Sequence, residues 1–200
     1  MAAVDSRRRF LEKCAWAAAG AALGGLLPRW VPEVSQAGAA DDPLSPEARL
    51  KALNLQLPAL PKGKGTATLV PTVRVGELLF VSGQTPRRPD GSAIVGKVGQ
   101  DLTVEQARDA ARLVGLQVLS TIRAELGSLD KVVRLVKTLG MVNAVPDFKE
   151  QPRVINGFSD LMVEVFGDTA GKGARSAIGV GSLPGGAAVE VEAIFQVRGG

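Results

Sequence analysis

The sequence contains no histidine and no tyrosine, and it has a single cysteine, Cys14. That cysteine lies in an N-terminal segment that we expect to be removed. Without these side chains, the remaining chain cannot form a histidine-based catalytic triad, a cysteine nucleophile, a disulfide or a zinc site with nitrogen or sulfur ligands. A general base active near neutral pH would then have to be a carboxylate or a lysine. We therefore predict no metal site.

The N-terminal segment has the features of an export signal. Three consecutive arginines, Arg7 to Arg9, precede an apolar run from Cys14 to Leu27. That run is shorter than the ~20 residues that a membrane-spanning helix needs. Small residues at positions 37–39 offer a cleavage site. We predict that residues 1–39 are a twin-arginine signal, that the mature protein is periplasmic or secreted, and that it then has no stable membrane association. An uncleaved membrane anchor is the less favoured alternative.

The charge of the mature chain gives little support for a nucleic-acid partner. The first 40 residues hold five of the 24 basic and three of the 20 acidic side chains, so 19 and 17 remain, a net charge of +2. Aromatic side chains, which stack on bases, are also scarce at 4% of the sequence. We predict no nucleic-acid partner.

The hydrophobic patterns predict one α+β domain. Residues 40–65 form a linker with a short helix at 46–53, and residues 66–200 form the domain. Its predicted elements are strands at 66–75 and 77–82, a helix from the Thr103 N-cap to 126, a strand at 132–141, a helix at 152–165 and a final hairpin of strands at 175–180 and 188–197. The order β-β-α-β-α-β-β indicates a mixed, mostly antiparallel sheet with two helices on one face. The apolar residues of the other face favour an oligomer.

An arginine and a glutamate carry the strongest chemical signal. Arg175 begins a short strand, and an arginine fork grips a carboxylate with two parallel hydrogen bonds. On the last strand Glu190 and Glu192 share one side, because they alternate with apolar residues. The hairpin would bring a glutamate near Arg175, where it could hold or activate a water. The alternatives are a surface charge and a solvated strand face.

Two further segments could contribute to a pocket. Ser82 and Gly83 end a strand, where a backbone can approach a ligand closely, although a plain β-bulge would look the same. Asn156 is a polar amide within an apolar helix, where it needs a hydrogen-bond partner if it is buried. That partner could be a ligand or a group in the helix packing.

Together these motifs resemble the RidA/YjgF family over residue 50 to the C-terminus. The matching segments are LFVSGQ at 79–84, GKVG at 96–99, GSLD at 127–130, Phe148 with VING at 154–157, ARS at 174–176, LP at 183–184 and VEVEAI at 189–194. The branch it most resembles is labelled chorismate-mutase-like, a label that describes the fold. The resemblance implies a homotrimer whose three sheets form a barrel with ligand clefts between subunits.

The resemblance also implies a reaction. Arg175 would bind the carboxylate of a 2-imino or enamine acid, Glu190 would position the hydrolytic water, and Ser82, Gly83 and Asn156 would complete the pocket. The products would be a 2-keto acid and ammonia, and no cofactor would be needed.

Two positions depart from the family pattern. Leu69 stands where many relatives have a tyrosine near the cleft, and Ala177 replaces a cysteine. Both changes make the pocket more apolar, and they favour the alternative of a non-catalytic trimeric binder of small carboxylates. The ribonuclease activity ascribed to some relatives is a third and weaker hypothesis.

Overall fold

The computed structural model describes residues 44–60 and 68–199. The predicted export signal, residues 1–39, lies outside this part of the chain. No helix within it is long and apolar enough to cross a membrane. The helices are α1 (Pro46–Ala52), α2 (Val104–Leu126) and α3 (Gln151–Ala170), and the strands are β1 (Thr72–Val75), β2 (Leu78–Gln84), β3 (Val132–Asn143), β4 (Ala174–Val180) and β5 (Val189–Val197).

One five-stranded sheet has the order β1-β2-β5-β3-β4. Strands β3 and β4 are parallel, and the other three pairings are antiparallel. The predicted α+β class and element order are confirmed, but the predicted hairpin is wrong, because β3 lies between β4 and β5. Parallel neighbours need a crossover connection, and α3 supplies it between β3 and β4.

Two element boundaries differ from the prediction by about five residues or more. β1 begins at Thr72, directly after Pro71, and not at residue 66. A proline lacks the N–H that a strand donates to its neighbour, so it favours a strand start. Helix α3 runs on to Ala170, beyond its predicted end at residue 165, with a break in its dihedral angles at Gly167 (φ 84°).

Helix α2 starts at the predicted Thr103 N-cap and buries one apolar face. The Thr103 hydroxyl accepts from the Gln106 backbone N–H at 3.2 Å, and the Gln106 side chain accepts from the Thr103 N–H at 2.9 Å. This capping box satisfies two donors that the first turn would otherwise leave unpaired. The buried face of α2 includes Ala107, Ala111, Val114, Val118 and Ile122.

Helices α2 and α3 approach each other closely at a glycine. A Cβ atom at Gly157 would lie 1.9 Å from the carbonyl oxygen of Arg108, so only glycine fits there. Arg112 forms a two-point ion pair with Glu164, at 2.6 and 2.9 Å. Such partly exposed pairs add little stability. The position of α3 over the sheet is therefore set mainly by packing at this glycine and by the buried apolar side chains.

The sheet face opposite the helices carries exposed apolar side chains. Leu79 and Val81 of β2 are buried toward the helices, whereas Leu78 and Phe80 are each 38% exposed. The strand register places Val73 opposite Phe80 and Val75 opposite Leu78, so these four side chains lie together. We call Val73, Val75, Leu78 and Phe80 the open-face patch. It is the apolar second face that the sequence predicted.

Thr138 is a buried polar residue of the core whose contribution to stability can be tested. Its side chain is 1% exposed, and its hydroxyl has no hydrogen-bond partner within the described residues. Burying an unpaired hydroxyl costs about 1–3 kcal/mol. We expect Thr138→Val to raise the Tm by about 2–4 °C, measured by calorimetry.

Thr121→Val is the matched control for this substitution. Thr121 is also buried, but its hydroxyl accepts from Gln84 at 2.9 Å and donates to the carbonyl of Gln117 at 3.0 Å. Losing these bonds should lower the Tm by a similar amount. A lower Tm for Thr138→Val would contradict the prediction and would show that the Thr138 hydroxyl has a partner.

Candidate functional site

Arg175 is held by helix α3 on the helix-covered face of the sheet. Its register partner is Thr138 of β3, which is buried toward the helices. The guanidinium Nη1 donates to Asn156 Oδ1 at 2.8 Å and to Ser159 Oγ at 3.0 Å. Asn156 and Ser159 are three residues apart, so they lie on one face of the helix. We call Arg175, Asn156, Ser159 and Ala177 the arginine group.

The hydrogen bonds of Arg175 leave one edge of its guanidinium available. The two protons of Nη1 point to the two α3 oxygens, so the N–H groups of Nε and Nη2 remain. No carboxylate lies within ion-pair distance of Arg175 in residues 44–60 and 68–199. The Nε/Nη2 edge has the spacing that binds both oxygens of a carboxylate. Arg175 therefore presents a pre-positioned fork without a protein counter-ion in the described chain.

Ala177 lies two residues further along β4, on the same side as Arg175. Its side chain is half-buried and packs against the core. It therefore places an apolar side chain on the same side of β4 as the guanidinium.

Glu190 belongs to a second group of residues at the junction of β2 and β5. Ser82 and Gly83 together face Glu192, because Val81 pairs with Ala193 and Gln84 pairs with Val191. This is the β-bulge that the sequence left as an alternative. A Cβ atom at Gly83 would lie 2.1 Å from Glu190 Oε1, so the carboxylate packs directly on the glycine backbone.

Ser82 and Leu69 complete this second group. The Ser82 hydroxyl donates to the carbonyl of Val70 at 2.7 Å, which ties the bulge to the segment before β1. Its proton is thus engaged, and its oxygen can only accept from a ligand. Leu69 precedes Val70 and is 64% exposed. We call Leu69, Ser82, Gly83 and Glu190 the glutamate group.

The environment of Glu190 favours its protonated form. Burial raises the pKa of the Glu190 carboxyl above its ordinary value of 4.5, and the nearby Glu192 raises that pKa further. No hydrogen bond from the described residues reaches this carboxylate. A half-buried glutamate with a raised pKa and no internal donor can hold a water and exchange a proton with it.

The two groups lie on opposite faces of the sheet. Glu190 alternates with Val189 and Val191, which are fully buried toward the helices, so its own side chain points to the open face. Arg175 points to the helix side, and β3 separates its strand from β5. A single chain therefore does not bring Arg175 and Glu190 together. It does join Arg175 with Asn156 and Ala177, and Glu190 with Gly83 and Ser82.

Ser159 is the residue of this site that sequence reasoning missed. Its only sequence signal is its position three residues after Asn156, which places both on one helix face.

No group of three or more His, Cys, Asp or Glu side chains in the described part of the chain is placed to hold a metal. A cleft of about 570 Å³ lies at the carboxyl ends of β3 and β4. Its lining contains no residue of the arginine group or the glutamate group.

Comparison with known proteins identifies the family. A family model described as "YjgF/chorismate_mutase-like, putative endoribonuclease" matches residues 47–188. Protein TCP17 of Trypanosoma cruzi is 45% identical over 151 residues, which is 76% of this chain and 93% of that protein. The chain belongs to the YjgF/chorismate-mutase-like family, the RidA/YjgF family that its motifs resemble.

Two solved structures support the same fold. The protein Atu1372 of Agrobacterium tumefaciens, whose function is unknown, is 41% identical with a TM-score of 0.68, and the match covers 76% of this chain and 94% of that one. A Shewanella oneidensis protein described as a "putative endoribonuclease" is 29% identical with a TM-score of 0.71, and the match covers 77% of this chain and 100% of that one.

The raised pKa of Glu190 predicts how stability depends on pH. An acid whose pKa is higher in the folded than in the unfolded state destabilises the fold as the pH rises above the unfolded value, here about 4.5. We expect Glu190→Gln to be more stable than the wild type at pH 7, by less than about 1 kcal/mol because solvent screens the half-exposed carboxylate. This gain in stability should disappear when the pH falls below the ordinary pKa of a glutamate, because the carboxyl is then protonated in both the folded and the unfolded state.

Urea unfolding at pH 3.5, 5 and 7 measures this difference. Glu192→Gln is the control, since it removes only the smaller cause of the shift and should give a smaller gain. A Glu190→Gln protein that is less stable than the wild type at pH 7 would show that the carboxylate makes a stabilising contact.

Proposed function

We propose that this protein hydrolyses 2-imino or enamine acids to 2-keto acids and ammonia, without a cofactor. The observation that carries the proposal is the Nε/Nη2 edge of Arg175, to which no group of the described residues binds. Asn156 and Ser159 hold the opposite side of the guanidinium through Nη1. A fork that is fixed before the ligand arrives loses little entropy on binding a carboxylate. Membership of the RidA/YjgF family supports this class of function.

The complete site requires two copies of the chain. The arginine group lies on the edge strand β4, and the glutamate group lies next to β2 toward the other edge. A neighbouring copy could place its glutamate group against the arginine group of the first. The open-face patch supplies the apolar surface that such an assembly would bury. We propose the homotrimer that the family resemblance implies, with one site in each of three clefts.

The proposed reaction needs few groups. The protonated imine carbon is electrophilic, and Arg175 fixes the adjacent carboxylate so that this carbon faces the water held by Glu190. The water oxygen bonds to the carbon, and Glu190 takes up the proton that the water loses. Glu190 then gives that proton to the nitrogen of the carbinolamine, and the C–N bond breaks to release ammonia. As the C=O double bond forms, the hydroxyl proton of the carbinolamine passes to the Glu190 carboxylate, which leaves the 2-keto acid. Holding the reactants in this geometry can supply ~7–11 kcal/mol of the barrier reduction.

A non-catalytic binder is the alternative that Leu69 and Ala177 favour. Neither residue offers a polar group to a bound imine, and Leu69 is largely exposed. In this case Arg175 would hold a small carboxylate without turnover. Both proposals include export by the twin-arginine route. Export would place the folded, cofactor-free domain in the periplasm or outside the cell.

The assay follows keto-acid release from imino acids generated in situ by an amino-acid oxidase. We expect Arg175→Ala to lower kcat/KM by at least about 100-fold, because it removes two charge-assisted hydrogen bonds. Arg175→Lys keeps the charge but loses the fork, and it should recover only part of the loss. Arg87→Ala, which removes another exposed arginine, should leave the rate unchanged. Glu190→Gln should lower kcat with little change in KM.

Variants of Ser159 test, in the same assay, whether this residue positions Arg175 for the substrate or only supports the fold. Ser159→Ala should raise KM by about threefold to tenfold, since it removes one of the two oxygens that orient Arg175. Ser159→Thr keeps the hydroxyl and should restore the wild-type KM. Two results together would favour the non-catalytic binder. Keto-acid release would stay at the background rate for both the wild type and Arg175→Ala, and calorimetry would show that the wild type binds a 2-keto acid whereas Arg175→Ala does not. RNA cleavage by the same preparation would favour the family's endoribonuclease description.

The oligomer is tested by light scattering. We expect a trimer for the wild type and dissociation for Phe80→Glu, because a charge in the open-face patch cannot be buried without a partner. Val95→Glu is the control, since Val95 is 51% exposed and lies outside the five strands. A monodisperse wild-type monomer would remove the site between copies.

A further inference from the structure

A second candidate site lies at the carboxyl ends of the parallel strands β3 and β4. The cleft there, of about 570 Å³, is lined by residues 144–146 after β3, by residues 179–181 at the end of β4, and by Gln151 at the start of α3. In sheets with parallel strands joined by a helix, ligands bind outside the carboxyl ends of those strands. The volume lies within the range of small-molecule pockets. This cleft is the part of the β3–α3–β4 unit where such a site would be found.

Lys97 is the charged residue of this cleft. Its ammonium donates to Asn143 Oδ1 at 3.1 Å and to the carbonyl of Gly181. Both acceptors are neutral, and no carboxylate in the described chain forms an ion pair with Lys97. The third ammonium proton is left for another acceptor. A half-buried lysine that lacks a counter-ion attracts an anion.

A tight turn fixes Lys97 in this position. Its backbone N–H donates to Asp101 Oδ2 at 2.8 Å, and its carbonyl accepts from the Asp101 N–H at 2.7 Å. The other Asp101 oxygen accepts from the Gln100 side chain at 3.2 Å. Gly96, with φ 126°, is required before the turn, because a Cβ atom there would lie 2.9 Å from Asp101 Cβ. The turn thus holds the Lys97 backbone at the cleft in advance of any ligand.

We propose that this cleft binds a small organic anion through Lys97. Its other lining residues are uncharged: Gln100, Ala144, Val145, Pro146, Gln151, Gly179, Val180 and Gly181. No acidic lining residue would repel an anion, and the valine and proline side chains suit a short apolar body. The first turn of α3 adds a weak preference for negative charge. The ligand class is therefore a compact carboxylate or phosphate with a small apolar part.

This site is separate from the arginine group. Arg175 is the second residue of β4, whereas Gly179 is the sixth, about 13 Å further along an extended strand. Neither Arg175 nor Glu190 lines the cleft. Anion binding at Lys97 should therefore survive the loss of Arg175.

The experiment is calorimetric titration of the full chain carrying Arg175→Ala, so that the first site cannot contribute. Inorganic phosphate and butyrate are the probes, at constant ionic strength, and butylammonium is the cationic control. We expect saturable binding of at least one anion and none of butylammonium. Phosphate and butyrate distinguish a tetrahedral oxyanion from a carboxylate. Lys97→Met should weaken binding by about tenfold or more, as expected for loss of a charged hydrogen bond.

Two further variants keep the proposal falsifiable. Lys149→Met removes an exposed lysine outside the cleft lining and should leave the affinity unchanged. Gln100→Glu adds a negative charge to the lining without touching Asn143, and it should weaken binding at least about threefold. If Lys97→Met does not fold, the affinity of Gln100→Glu for the anion decides whether the proposal holds. Absence of saturable binding, equal losses for Lys97→Met and Lys149→Met, or full affinity in Gln100→Glu would each overturn the proposal.

Discussion

Strand β3 pairs with two neighbours at once, and this double pairing decides where Arg175 and Glu190 lie relative to each other. Its antiparallel partner β5 carries Glu190, and its parallel partner β4 carries Arg175. The link from β3 to β4 is a crossover helix, which makes the two strands parallel. Since β5 lies on the other side of β3, β4 is at the sheet edge, and its arginine lies beneath α3. The same connection creates the cleft at the carboxyl ends of β3 and β4. One topological feature therefore positions both the arginine group and the strand ends that line the cleft at Lys97.

The arginine group depends in turn on how closely the two long helices pack. Gly157 lets α3 press against the carbonyl of Arg108, and it directly follows Asn156 in the chain. A larger residue there would lift α3 from α2 and move Asn156 and Ser159 away from β4. Gly140 plays a comparable part on β3, where a Cβ atom would lie 2.6 Å from Ile155 of α3. The guanidinium is thus positioned by contacts that two glycines make possible on either side of the helix.

Much of the fold could be predicted from the sequence, because its local signals are strong. The Thr103 capping box, the buried stripe of α2 and the alternation of β5 each depend on residues close together in the chain. The pairing of β4 was missed for the opposite reason. Residues 181–188, with their Pro-Gly-Gly turn, look like a hairpin loop, yet the chain there passes across β3 to reach β5. Ser159 was missed because a serine on a helix surface carries no signal until its distance to Arg175 is known.

The contact between Gly83 and Glu190 has a consequence for proton transfer. The carboxylate is located by the shape of the glycine backbone beneath it, and no donor from the described chain fixes its charge state. A side chain seated by van der Waals contact keeps its place whether it is ionised or neutral. In the hydrolysis that we propose, Glu190 would then gain and lose its proton without a change of orientation. The contact with Gly83 thus sets the position of the Glu190 carboxyl group in both of its protonation states.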